Sequence, residues 1–82
     1  MTSAKIIEYV SAEPFRPFRI KMTSGQVVDI RHPEMILVGR SSVRVYQVSD
    51  ADPEGPQHWF DVSLTLMEML EPLELKSTAG MN

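Results

Sequence analysis

A chain of 82 residues cannot divide its apolar side chains between two cores and keep either stable, so one domain is expected over residues 1–75, with 76–82 as a flexible tail. Hydrophobic residues at 43% and charged residues at 23% exclude a disordered or membrane-spanning class by composition, and the absence of cysteine excludes disulfides and thiolate metal sites. The formal charge of −3 conceals a split between the two halves of the chain.

The opening "MTSAKIIEYVSAEP" lacks the uninterrupted apolar run of a signal peptide, and no later stretch reaches the roughly 20 apolar residues of a spanning helix. A cytoplasmic protein without membrane attachment is the expectation. Over residues 4 to 12 the helical spacing sets Ile6, Ile7 and Val10 on one face with Tyr9 at its edge. Thr2 or Ser3 can cap the start, and Pro14 disfavours helical geometry at Glu13. A helix this short is unstable alone in water and must lie on something.

That support is β-structure. Phe18, Ile20 and Met22 alternate with Arg19, Lys21 and Thr23; Ser24-Gly25 offers a tight turn; Val28 and Ile30 then alternate with Asp29 and Arg31. The pattern predicts a hairpin. "MILVG" and "VRVYQV", flanking "RSS", predict either a second hairpin or one bent strand interrupted near Gly39. Residues 49 to 57, with prolines, a glycine and acids, predict a solvated loop. "HWFDV" starts a strand, "SLTL" suits one tight helical turn, and "MEMLEPL" reads as strand or helix, Met67, Met69 and Glu71 alternating against Glu68, Leu70 and Pro72. The fold class expected is mostly β: a short amino-terminal α-helix followed by a five- or six-stranded antiparallel barrel of the SH3-like or Sm-like kind, whose closure removes exposed strand edges.

"EPFRPFRI" after the helix, "HPE" after the second strand, then "VRVY", "WFDV" and "LEPL" resemble the motifs of a family of small bacterial proteins over about residues 6 to 74. The resemblance implies a fold and brings no catalytic residues. Element order and "FRIKMTSGQ" are also similar to Sm-like proteins, which often form RNA-binding rings.

Of candidate chemistry, "RHPEM" is the most site-like fragment, with His32 two positions from Glu34. Pro33 fixes its own φ and biases His32 toward extended geometry, which suits a corner between strands. A metal site would need further ligands from His58, Asp50, Asp52 or Asp61, and no spacing matches a zinc or calcium pattern. Ser41 and Ser42 sit in a turn without the second glycine of a nucleophile elbow. No catalytic residue, metal or cofactor is therefore expected. Trp59 and Phe60 adjoin, so on a strand one ring faces in and the other can anchor a partner.

Charge carries the most information. Residues 14 to 48 hold Arg16, Arg19, Lys21, Arg31, Arg40 and Arg44 against Asp29 and Glu34; residues 49 to 82 hold Asp50, Asp52, Glu54, Asp61, Glu68, Glu71 and Glu74 against Lys76. Strand parity turns Arg19, Lys21, Arg31, Arg44 and Tyr46 outward as a candidate interaction face, with Glu68, Glu71 and Glu74 as a candidate complementary acidic face. The expectation is a non-enzymatic protein-interaction or self-assembly module: a homo-oligomer, with a protein partner. The alternative, an Sm-like RNA-binding protein using the basic strand face, ranks lower because the acidic half repels phosphate.

Overall fold

In the computed structural model, residues 1–47 and 58–73 are described; the acidic loop of 49 to 57, Glu74 and the tail of 76–82 lie outside the described residues. Helix α1 (Ser3–Val10) precedes strands β1 (Phe18–Met22), β2 (Val27–Ile30), β3 (Ile36–Val38), β4 (Ser42–Gln47), β5 (His58–Ser63) and β6 (Met67–Pro72), with single 3-10 turns at Pro33–Met35 and Leu64–Leu66. The Thr2 hydroxyl accepts from the Lys5 amide at 3.3 Å and so caps α1. Within these residues no helix is long and apolar enough to cross a membrane.

The strands form two antiparallel sheets of three, in the orders β2-β1-β6 and β3-β4-β5. In the first, the last strand returns beside the first. The predicted β1–β2 hairpin is present: the Gly25 amide donates to the Met22 carbonyl at 2.9 Å and the Met22 amide to the Gln26 carbonyl at 2.8 Å. Gly25 takes φ +96°, a conformation that side chains with a Cβ resist, as three-residue hairpin loops require. Of the two readings left open for residues 36 to 47, the second hairpin is the one formed, with Ile36 opposite Val45 and Val38 opposite Val43. Gly39 permits its tight end, because a Cβ there would stand 3.0 Å from the Ser42 carbonyl oxygen.

The sheets are not closed into a barrel. Among the described residues no strand of one pairs with a strand of the other, and a groove of about 470 Å³, lined by Met22, Val28, Phe60, Val62 and Leu66 among others, runs between β2 and β5. What joins the sheets is the apolar core between them. Ile20, Ile30, Val43 and Val45 are fully buried, with Phe18, Met67, Leu64 and Ile36 nearly so. Each such side chain contributes roughly 1.5–3 kcal/mol by leaving water.

Two sequence expectations shift in phase. The helix buries Ile6, with Tyr9 and Val10 packed at the core edge, while Ile7 is 49% exposed. At about 100° per residue, Ile7 lies well off the Ile6 direction. The Tyr9 ring, 5.2 Å from that of Phe18, draws the buried face to its own side. Residues 67 to 72 are strand, not helix. Their alternation breaks at a bulge: Met67 lies opposite Met22 and Met69 opposite Lys21, so Glu68 is the extra residue. Met67 and Met69, expected on one face, therefore part, with Met67 buried and Met69 44% exposed.

Candidate functional site

The fragment "RHPEM" is a corner in the structure. His32 is extended, Pro33–Met35 makes one 3-10 turn, and the Met35 amide donates to the His32 carbonyl at 3.2 Å. His32 and Glu34 are exposed. Among the described residues no three His, Cys, Asp or Glu side chains are grouped to hold a metal ion. Ser41 serves the backbone, its carbonyl accepting from the Leu64 amide at 3.0 Å.

The remaining candidates fall on two separate sheet faces. Cross-strand partners share a face, so the register fixes who stands beside whom. Outside the β2-β1-β6 sheet, Arg19 is flanked by Asp29 and Glu71, and Lys21 by Val27 and Met69. Arg19 grips Asp29 with a two-pronged pair, Nε to Oδ1 at 2.7 Å and Nη2 to Oδ2 at 3.3 Å, and Arg31 reaches the same carboxylate at 3.6 Å. The bond to Asp29, then its charge, with a smaller share from Glu71, holds the Arg19 guanidinium above its ordinary pKa. The half of the sequence rich in bases and the half rich in acids are thus interleaved in space, because acidic β6 pairs with basic β1. Glu68 is exposed at the bulge, while Glu74 lies outside the described residues.

Outside the β3-β4-β5 sheet, Arg44 lies between Leu37 and Asp61, and Tyr46 lies beside Trp59. Arg44 Nε donates to Asp61 Oδ1 at 2.8 Å and Nη2 to Oδ2 at 3.2 Å. The guanidinium carbon stands 4.0 Å from the centroid of the Trp59 ring, within the range of a cation–π contact. The bond from Arg44 pulls the Asp61 carboxyl below its ordinary pKa against an opposing effect of desolvation. The same bond holds Arg44 above its own value, with a smaller contribution from Tyr46. Leu37 is 60% exposed and Trp59 54%, so an aliphatic and an aromatic side chain border one ion pair on open sheet. Phe60 points the other way and packs against the core.

This face draws together Arg44, Tyr46 and Trp59, three of the residues the sequence offers for contact, and adds Leu37, which it does not single out, and Asp61, which it names only as an acid and a possible metal ligand. Leu37 is hidden there in an unbroken apolar run, "MILV", where only the position of the strand tells its outward member from its inward ones. Asp61 has the parity of Trp59, but its place opposite Arg44 depends on the β4–β5 register, which the intervening loop conceals. Compared with protein-family models, with curated proteins and with solved structures, the chain matches none.

Proposed function

We propose that this protein is a non-enzymatic protein-interaction or self-assembly module of the cytoplasm and that the solvent face of β3-β4-β5 is its working surface. The observation that carries the reading is the Arg44 guanidinium stacked on an exposed Trp59, with Tyr46 and Leu37 on the same face. Trp, Tyr and Arg are the residue types that dominate binding hot spots, and an open apolar side chain beside a satisfied ion pair gives such a surface both area and direction. On a three-stranded sheet their backbones are already ordered, which lowers the entropic cost of association.

The same proposal extends to the fold. A 3-10 turn before the last strand, the pairing of that strand with the first, and one apolar core shared by two sheets support an SH3-like or Sm-like small barrel with an open seam. Membership of the bacterial family that the motifs resemble is part of the same proposal; "HPE" falls at the corner, "VRVY" within β4, "WFDV" within β5 and "LEPL" across the end of β6. The RNA-binding alternative is weakened because Arg19 and Arg31 meet at Asp29 and Arg44 is held by Asp61, which leaves less cationic charge for phosphate.

The test compares immobilised wild type with two surface variants, Leu37→Ser with Trp59→Ala on the β4 face and Val27→Ser with Met69→Ser on the β1 face. Protein retained from cytoplasmic extract should be lost with the first pair and kept with the second. Equal retention by both variants would remove the β4 face from the function. A short single-stranded RNA titrated at two salt concentrations covers the alternative, where micromolar, salt-sensitive binding would promote it.

A further inference from the structure

We infer that the edge of β5 takes an extended peptide of another protein as an added antiparallel strand, laid in the groove between β5 and β2. This goes beyond the outer-face reading and does not depend on it. The register supplies the first observation. In an antiparallel ladder the backbone groups of successive residues point alternately to one side of the strand and the other. The Gly39 amide donates to the Ser42 carbonyl and the Leu64 amide to the Ser41 carbonyl, which sets the alternation on β4: Ser42 and Arg44 bond toward β3, Val43 and Val45 toward β5. On β5, Phe60 and Val62 therefore bond to β4. The amides of Trp59, Asp61 and Ser63, with the carbonyls of Trp59 and Asp61, point away from the sheet, and among the described residues none of them has a backbone partner. Such a row of donors and acceptors, repeating every second residue or about 6.6 Å along the edge, is matched by the backbone of another strand.

The other three edges are guarded against stray pairing in the ways that sheets use. β6 carries a bulge, Glu68, Glu71 and Pro72. β3 has three residues and lies against α1, and β2 has four. β5 has six, with no proline, glycine or bulge among them, and its carboxylate, Asp61, is drawn back over the sheet by Arg44. The groove beside this edge is apolar. Phe60, Val62, Met22 and Val28 line it, and Val27 and Leu66 stand exposed at its walls. The inward side chains of an added strand meet these residues, so the fitting peptide carries apolar side chains at alternate positions. With a rise of about 3.3 Å, a strand spacing of about 4.8 Å and a layer separation of about 10 Å, one strand residue fills about 160 Å³. The groove, at about 470 Å³, therefore holds about three residues of one strand. Because β2 bounds its far side, one strand fits there and the sheet of a second copy does not.

Fluorescence anisotropy of a labelled, capped peptide in which valine alternates with threonine and lysine, titrated with the full chain to ~1 mM, tests the inference. Wild type should bind it saturably, and a peptide of the same composition with its valines adjacent should bind at least ~10-fold more weakly. In an antiparallel pair the peptide residues on the Asp61 side exchange hydrogen bonds with the β5 edge. N-methylation of the threonine and lysine amides should therefore abolish binding, while N-methylation of the valine amides should leave most of it. Ser63→Pro removes one outward amide at a φ of −73°, which proline accepts, and should weaken binding at least ~10-fold. Leu66→Ser, at an exposed wall of the groove, should weaken it too, and reads the same contact if circular dichroism shows Ser63→Pro to be unfolded. Leu37→Ser, on the outer face, should bind as wild type does. No saturation by ~1 mM, a valine-methylated peptide that binds no better than the other methylated one, or a wild type that dimerises through this edge without binding peptide would overturn the inference. The extract comparison above varies only outward side chains, so the two readings fail separately.

Discussion

The two sheets carry the same device on their outer faces and finish it differently. In each, an arginine on the central strand forks onto an aspartate directly across on an edge strand: Arg19 on Asp29, Arg44 on Asp61. On β1 the opposite neighbour is Glu71, and the next row sets Lys21 between Val27 and Met69. On β4 the opposite neighbour is Leu37, and the next row is Tyr46 beside Trp59. One arginine is enclosed by carboxylates and its apolar neighbours are separated by a lysine; the other is bordered by an aliphatic side chain and a π face. Equal ion pairs therefore stand among charges in one sheet and beside exposed aliphatic and aromatic side chains in the other, and the flanking residues make the difference.

If that comparison holds, the sheets are alike inside and unlike outside. The largest effect should come from the shared interior. Ile20→Ala, at a fully buried position of β1, should destabilise by about 2–5 kcal/mol in urea denaturation, through lost burial and a residual cavity. Leu37→Ala should change stability by no more than about 0.5 kcal/mol because Leu37 is 60% exposed among the described residues. A comparable loss from both would mean that the β4 face is covered within the monomer.

The bulge on β6 sharpens the contrast next. Deleting Leu70 reverses the facing of one end of the strand against β1, and should cost about 3 kcal/mol or more through exposure of core residues. Deleting Glu68, the extra residue of the bulge, keeps Met67 inward and Met69 outward, and should cost about 1 kcal/mol or less. Thermal melts of the two deletions measure the difference directly. Between these two lies Gly25→Ala. A Cβ there meets no atom within 4 Å, so the cost should be the backbone term alone, about 1–2 kcal/mol, read as a shift in the urea midpoint.

Much of this architecture is legible in the chain. The helix, the first hairpin, the turn before the last strand and the corner at Pro33 follow from local rules: spacing, a glycine that can take positive φ, a proline that fixes its own. Two matters are not local. The bulge at Glu68 changes the facing of half a strand without any mark in "MEMLEP", because it arises in the register with β1. The β4 face depends on which residue of β5 stands opposite Arg44. Counting charges along the sequence separates a basic half from an acidic one, and pairing β6 with β1 and β5 with β4 brings them back together. Trp59 and Arg44 are each conspicuous alone; their contact is a property of the fold.

The smallest effect is electrostatic. The bond from Arg44 pulls the Asp61 carboxyl below its ordinary value, so its titration followed by NMR should fall below the usual value of about 3.9 and return toward it in Arg44→Ala. A group whose pKa is depressed by folding adds stability above its unfolded pKa. That contribution should be lost as pH falls below about 4 through the folded value. An unshifted Asp61 in wild type would contradict the pairing that orients Arg44 over Trp59.

The most direct test of the difference between the faces is a map of backbone amide shifts against protein concentration, from ~20 μM to ~1 mM, a range in which weak self-association is visible. The account predicts concentration-dependent shifts at Leu37, Arg44, Tyr46, Trp59 and Asp61, with Arg19, Lys21, Val27, Met69 and Glu71 unmoved. Shifts confined to the β1 face, or none on either face, would contradict it.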